Sequence, residues 1–122
     1  MKLSRLVFIR LAVFWTILIF ILSVLSAKQI NRLNVIDIFG IDKVGHIVFY
    51  TMLSFFWSGV FNKSRREKIF VIFLCSSFGF LLEILQFYLF NGRSFDLYDA
   101  IANILGVLSG VFFFDNLKLK MN

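Results

Sequence analysis

The sequence predicts an all-α integral membrane protein, a bundle of four transmembrane helices with both termini in the cytoplasm. Of its 122 residues, 60% are hydrophobic and only 16% are charged, whereas roughly a quarter of the residues in a soluble globular domain are charged. The apolar residues form long stretches, and most charged residues lie at the ends of these stretches. This composition excludes a soluble enzyme and a disordered tail, and the single cysteine excludes a disulfide scaffold.

Four apolar stretches are long enough to cross a membrane. A helix needs about 20 mostly apolar residues to cross a hydrocarbon core of about 30 Å. None of the four stretches shows the alternating pattern of a transmembrane barrel strand. The chain length of 122 residues predicts a single domain over residues 1–122. The predicted spans lie at about residues 6–25, 44–61, 69–90 and 97–114.

The first span has an alternative interpretation as a secretory signal peptide. Lys2, Arg5 and Arg10 precede an apolar run that ends in Ser-Val-Leu-Ser-Ala, with a cleavage site near Ser26 or Ala27. We favour an uncleaved helix, because the apolar stretch with its flank is long for a signal peptide and the remaining chain is itself membranous.

The basic residues predict the orientation in the membrane. Short loops rich in Lys and Arg stay on the cytoplasmic side, so both termini and the connection at residues 62–68 are predicted to be cytoplasmic. The same residues would face anionic lipid head groups, which argues against nucleic acid as a partner despite the net charge of +6. Nine of the 13 basic residues lie on this side: Lys2, Arg5, Arg10, Lys63, Arg65, Arg66, Lys68, Lys118 and Lys120.

Ionisable and amide side chains collect at the outer ends of the last three spans. Asp42, His46 and Tyr50 follow each other at intervals of four residues, so they share one face of a helix. Glu83 and Gln86 lie one turn apart in the outer half of the third span. We therefore predict a polar pocket that opens toward the outer leaflet and binds a ligand. Its residues are Asp42, Lys43, His46, Tyr50, Glu83, Gln86, Arg93, Asp96, Asp99 and Asn103.

Glu83 and His46 are the candidate catalytic residues of this pocket. A bare carboxylate in the membrane costs several kcal/mol, so Glu83 needs a partner, for which Arg93 is suited. His46 is placed to share a proton with Asp42, Glu83 or Asp99. Polar residues at helix ends also cap helices or bond to neighbouring helices without doing chemistry, and this structural interpretation stays open.

The sequence predicts no metal site and no cofactor. A site with one His and carboxylates from three helices is chemically reasonable, but His46 is the single histidine and no HExxH or ExxH pattern is present. A serine nucleophile is disfavoured as well, because Ser94 lies in no recognisable nucleophile elbow.

Glycines on the last two spans predict close helix packing. Gly106 and Gly110 form a small-xxx-small pair on the helix face that also carries Asn103. Gly79 lies one turn before Glu83. Close backbone approach at these glycines would hold the polar ends of the helices together.

Three motifs resemble those of the VanZ-like family of small integral membrane proteins. Residues 42–46 (DKVGH) with Tyr50 resemble the first motif, and residues 83–86 (EILQ) resemble its E-x-x-Q. Residues 93–106 match R-x-x-D-x-x-D-x-x-x-N-x-x-G. The resemblance covers about residues 42–110 and groups these residues into one site. It implies a multi-pass protein of the bacterial cytoplasmic (inner) membrane, associated with antibiotic resistance through lowered susceptibility to the glycopeptide teicoplanin.

The leading functional hypothesis is recognition of an envelope lipid or cell-wall precursor head group, with membrane lipids as partners. Arg93 and Lys43 would meet phosphate or carboxylate groups, while the apolar grooves between spans would take the lipid tail. Two alternatives remain. One is a membrane hydrolase or transferase in which Glu83 or His46 is the general base, and the other is a structural or partner-binding subunit.

Overall fold

The computed structural model describes residues 4–29, 41–89 and 97–121, which form four α-helices and no strand. The predicted all-helical class is confirmed for these residues, and each predicted span falls on a helix. The last helix continues well beyond the predicted end at residue 114. The helices are α1 (Arg5–Gln29), α2 (Ile41–Val60), α3 (Arg65–Leu89) and α4 (Leu97–Met121).

Three of these helices are long and apolar enough to cross a membrane, which supports a multi-pass membrane protein. Their apolar segments are Arg5–Val24, Arg65–Leu89 and Leu97–Leu119. In the described part of the chain α2 does not reach the same hydropathy, because Lys43 and His46 lie in its first turns. α2 packs against all three other helices, so these helices cover much of the surface of α2. A fourth span formed by α2 stays a prediction.

The helices alternate in direction. α2 and α4 run parallel, since Lys43 lies beside Asp99 near their starts and the Phe55 and Phe114 rings stack edge-on farther along. α1 runs the opposite way, because Arg5 at its start contacts the last residue of α2, Val60. α3 also runs the opposite way, because Lys68 near its start pairs with Asp115 late in α4. The starts of α2 and α4 therefore lie beside the ends of α1 and α3, and we call this the polar end of the protein.

The other end of the protein holds the start of α1, the connection between α2 and α3, and the last turns of α4. Lys118 Nζ donates to the main-chain oxygen of Asn62 at 2.5 Å, and Arg5 Nε donates to that of Val60 at 3.3 Å. Cations at carbonyl groups that a helix end leaves unpaired are stabilising. Both termini of the described chain thus lie with the 62–68 connection, as the charge pattern predicts. That this side is cytoplasmic stays a prediction.

α1 is an integral part of the packing. Trp15 Nε1 donates to the main-chain oxygen of Phe49 at 2.9 Å, and Trp57 Nε1 donates to Thr16 Oγ1 at 3.1 Å. Ala12 of the same helix is completely buried. Cleavage as a signal peptide would remove these contacts, and the signal-peptide alternative stays untested.

α2 and α4 approach each other closely at Gly106 and Gly110, the small-xxx-small pair that the sequence predicts to pack tightly. A Cβ atom on Gly106 would lie 2.5 Å from the main-chain oxygen of Ile47, and one on Gly110 would lie 2.2 Å from that of Thr51. Real Cβ atoms are not found this close to other atoms, so only glycine permits the observed approach. The contact lies next to the polar end and sets the spacing of the side chains there.

Candidate functional site

The polar end brings together side chains from three helices that the sequence predicted to share a site. Two candidates, Arg93 and Asp96, lie outside the described residues. Asp42 lies in the first turn of α2, but its side chain is also outside the described part. The other candidates lie on α2 (Lys43, His46 and Tyr50), on α3 (Glu83 and Gln86) and on α4 (Asp99 and Asn103).

Five of these seven side chains are withdrawn from the surface. Glu83 and Asp99 are 3% and 2% exposed. A buried carboxylate is stable only when charges or hydrogen-bond donors compensate for the lost water. Such compensation must come from the neighbouring helices, so the arrangement of these carboxylates depends on helix packing. The other three buried side chains are Tyr50, Gln86 and Asn103.

Asp99 joins α2 to α4 through both of its carboxylate oxygens. Oδ1 lies 3.3 Å from Nζ of Lys43, and Oδ2 lies 3.8 Å from Nε2 of His46. Asp99 is also in the first turn of α4, where unpaired backbone N–H groups favour a negative charge. The Lys43 side chain is 34% exposed while that of Asp99 is 3% exposed. The lysine is therefore partly accessible at the protein surface, and the aspartate that it contacts is buried.

His46 is held by Asn103, one turn farther along α4. Its Nδ1 lies 2.8 Å from Asn103 Oδ1. An amide oxygen only accepts hydrogen bonds, so Nδ1 carries the hydrogen and donates it. The ring is therefore oriented with its other nitrogen, Nε2, toward Asp99. In the neutral ring Nε2 presents a lone pair in that direction.

Glu83 completes a three-residue cluster with His46 and Asp99. One ring nitrogen of His46 and one oxygen from each carboxylate all lie within 4.8 Å of one another. These are the groups that the sequence expected to share a proton, although it left open which carboxylate lies nearest to His46. We call this set the His–Glu–Asp cluster. Each residue comes from a different helix, so the cluster exists only when α2, α3 and α4 are packed together.

Two buried polar atoms near the cluster lack hydrogen-bond partners among the described residues. Gln86, one turn after Glu83 on α3, donates from Nε2 to the main-chain oxygen of Ser23 at 2.8 Å, but its Oε1 accepts nothing. Asn103 accepts from His46 through Oδ1, but its Nδ2 donates to nothing. A buried unsatisfied polar atom costs about 1–3 kcal/mol. The Ser23 contact was not predicted, because a main-chain acceptor leaves no signal in the sequence.

Tyr50 has a packing role at the base of the cluster. Its ring lies against Gly79 of α3, where an added Cβ would come within 2.8 Å of Tyr50 Cε1, and its own Cβ lies against Gly106 of α4. The residue belongs to the hydrophobic core. The two glycines thus make room for Tyr50, and Tyr50 separates the polar end from the apolar interior.

Comparisons with known proteins agree with the resemblance carried by the motifs. The sequence model of the VanZ/LLP1 family matches residues 3–118. The chain is also 40% identical over 67 residues to "Uncharacterized protein C11E3.10" of Schizosaccharomyces pombe (strain 972 / ATCC 24843). That match covers 53% of this chain and 41% of the yeast protein, so the chain spans less than half of its relative. No solved structure shows a significant match to the chain.

Proposed function

The chain belongs to the VanZ/LLP1 family, and on that premise we propose that it is a four-span membrane protein whose polar end binds the head group of a membrane lipid. In a bacterial cytoplasmic membrane that lipid would be an envelope lipid or a cell-wall precursor. A fission-yeast protein is similar to this chain as well. We therefore propose head-group binding in general, and a cell-wall precursor as the ligand in bacteria only.

The observation that carries the proposal is the Lys43–Asp99 pair at the polar end. The Asp99 side chain is buried, while about a third of the Lys43 side chain is exposed. A lysine ammonium is a compact positive charge that binds phosphate or carboxylate. Asp99 fixes the position of this cation, and the cation can meet an anionic head group from the membrane interface.

The remaining polar groups suit the uncharged parts of a head group. Carboxylate and amide oxygens of Glu83 and Gln86 accept hydrogen bonds from sugar hydroxyl or amide groups. Exposed apolar side chains on the same helices, such as Leu81 and Leu105, offer contacts for the lipid tail. The polar end would thus bind a molecule with a polar head and an apolar tail, which is the composition of a lipid.

The chain offers a matched pair of variants to test this proposal. Lys43 and Lys68 each pair with an aspartate on α4, Asp99 at the polar end and Asp115 at the other end. We expect Lys43→Met to lose a lipid that co-purifies with the wild-type protein, and Lys68→Met to retain it. The measurement is mass spectrometry of lipids extracted from each purified protein. Equal lipid content in the two variants would contradict head-group binding at the polar end.

A second candidate function is a membrane hydrolase or transferase at the same site. It is favoured by the orientation of His46, whose Nδ1 is held by Asn103 while Nε2 faces the carboxylates. A ring held in this way is suited to act as a general base. In that case Glu83→Gln should accumulate the bound lipid rather than lose it, because binding would persist while turnover stops.

An effect on glycopeptide susceptibility follows if the bound lipid is a cell-wall precursor. Holding the precursor would change how much target a lipophilic glycopeptide finds at the cell surface. Expression in a susceptible bacterium should then raise the inhibitory concentration of teicoplanin for wild type and for Lys68→Met, but not for Lys43→Met. If none of the three proteins changes the inhibitory concentration of teicoplanin, the bound lipid is not a cell-wall precursor. Lipid binding itself would then be tested by the co-purification experiment alone.

A further inference from the structure

We propose that the His–Glu–Asp cluster binds one divalent transition-metal ion through His46 Nε2 and one oxygen each of Glu83 and Asp99. This inference goes beyond head-group binding and does not depend on it. It also differs from the expectation drawn from the sequence, which predicts no metal site because the ligands follow no recognised spacing along one helix.

The distances between the three ligand atoms suit a shared ion. Zn–N and Zn–O bonds of about 2.1 Å in a tetrahedral site place neighbouring ligand atoms about 3.4 Å apart. His46 Nε2 and Asp99 Oδ2 are 3.8 Å apart, and one ring nitrogen of His46 and one oxygen of each carboxylate all lie within 4.8 Å of one another. Small side-chain rotations bring such atoms to bonding distance. The separation of 3.8 Å is too long for a direct hydrogen bond, and an ion between the two atoms would fill it.

The surroundings of His46 are those of a metal ligand. A histidine that binds a metal usually donates its other N–H to an oxygen acceptor, which fixes the ring and its tautomer. Here Nδ1 donates to Asn103 Oδ1 at 2.8 Å, and Nε2 is directed at a carboxylate. The two oxygens of Asp99 likewise have different neighbours: Oδ1 lies near Lys43, and Oδ2 faces His46. A carboxylate has two oxygens, so Glu83 can also bind an ion with one and keep another partner with the other.

One further observation is independent of the ligand distances. Gln86 Oε1 and Asn103 Nδ2 are buried and lack partners among the described residues. Gln86 lies one turn after Glu83 on α3, and Asn103 lies one turn after Asp99 on α4. A three-ligand ion keeps an open position for water, and ordered water satisfies buried polar atoms of this kind because it both donates and accepts hydrogen bonds.

The chemistry of the donors selects the class of ion. Imidazole suits Zn²⁺, Fe²⁺ and their neighbours, while a site for Mg²⁺ or Ca²⁺ is built from oxygen ligands. Zn²⁺ accepts both His nitrogen and Asp or Glu oxygen as ligands, and its open sites have three protein ligands, as one nitrogen and two carboxylate oxygens would provide here. We therefore use Zn²⁺ as the probe, and Co²⁺ as its spectroscopic substitute.

The test measures Zn²⁺ binding to the full chain in detergent, after chelator treatment, by competition with a chelating dye. We expect one tight Zn²⁺ per wild-type chain. His46→Ala, Glu83→Gln and Asp99→Asn should each weaken binding by more than about 100-fold, and Asn103→Leu by about 10–100-fold as a positioning residue. Asp115→Asn is the matched control on α4, because it removes a carboxylate from the other end, and it should bind Zn²⁺ like the wild type.

A second measurement guards against variants that fail to fold. Zn²⁺ should raise the thermal unfolding temperature of wild type and Asp115→Asn, and bound Co²⁺ should give the visible absorption of a low-coordinate site, which Asn103→Leu alters. If wild type binds no more Zn²⁺ than His46→Ala, or if Asp115→Asn loses binding equally, the metal site is wrong. Zn²⁺ binding and lipid co-purification are separate measurements on the same variants, so Zn²⁺ binding without lipid co-purification would refute head-group binding alone, and lipid co-purification without Zn²⁺ binding would refute the metal site alone.

Discussion

Replacing Gly110 with alanine tests the close contact between α2 and α4 on which the site depends. The new Cβ would lie 2.2 Å from the main-chain oxygen of Thr51 and 1.9 Å from Ser54 Oγ. The Ser54 side chain can rotate away, but the main-chain oxygen cannot. Since carbon and oxygen atoms approach each other to about 3.3 Å, α4 has to move away from α2 by about 1 Å.

The expected magnitude follows from two opposing terms. Overpacking a tight contact costs about 1–3 kcal/mol, and an obstacle in the backbone places this site at the upper end of that range. Alanine in a helix recovers about 0.5–1 kcal/mol relative to glycine. We therefore expect Gly110→Ala to lower the free energy of unfolding by about 2–2.5 kcal/mol.

Gly45→Ala provides the matched control, because a Cβ on Gly45 meets no atom of the described residues within 4 Å. This variant should gain about 0.5–1 kcal/mol from helix propensity alone. The assay is equilibrium unfolding in mixed detergent micelles, followed by the fluorescence of Trp15 and Trp57, which lie in the contact between α1 and α2. If Gly110→Ala is as stable as Gly45→Ala, the proposed contact between α2 and α4 is wrong. The displaced α4 should also weaken Zn²⁺ binding in Gly110→Ala and not in Gly45→Ala.

Two further predictions concern contacts away from the site. Trp15→Phe keeps an aromatic ring against Phe49 but removes the Nε1 hydrogen bond of 2.9 Å; we expect a loss of about 0.6 kcal/mol and no more than about 1.7 kcal/mol in the same unfolding assay, and a larger loss would mean that the ring packing also changes. The Lys68–Asp115 pair has side chains 43% and 35% exposed, so a double-mutant cycle should give a coupling of about 0.2–1 kcal/mol that falls with added salt; a salt-independent coupling of several kcal/mol would contradict a solvent-screened pair.

The positions of the helices follow from local features of the sequence. A run of about 20 apolar residues forms a helix in a membrane because the backbone has no other partner for its hydrogen bonds. The turn between α2 and α3 is equally local, since Ser64 Oγ accepts from Glu67 N at 3.2 Å and Glu67 Oε2 accepts from Lys63 N at 2.8 Å. This resembles a capping box, except that the glutamate accepts from the residue before the cap. α4 continues as a helix beyond the predicted span at about residues 97–114, and its last turns carry charged residues.

The candidate site was predictable as a set of residues but not as a geometry. Helical spacing places His46 and Tyr50 on one face, and orientation places Glu83 and Asp99 at the same membrane depth. Neither rule states that His46 Nε2 faces Asp99 Oδ2 at 3.8 Å, because that distance depends on how deeply α4 packs into α2. The sequence disfavours a metal site because it holds one histidine and no HExxH or ExxH pattern, and it leaves unstated that His46, Glu83 and Asp99 meet from three different helices.

The sequence by itself therefore determines an all-helical membrane protein, the approximate bounds of its helices and the membership of its polar end, because hydrophobicity, capping and helical periodicity act over a few turns. Only the tertiary structure decides which polar atoms meet. The contact at Gly106 and Gly110 brings α2 and α4 close enough for Asn103 to orient His46 and for Asp99 to reach both Lys43 and the imidazole. Such contacts join residues more than 50 positions apart, and their geometry is set by the packing of the helices.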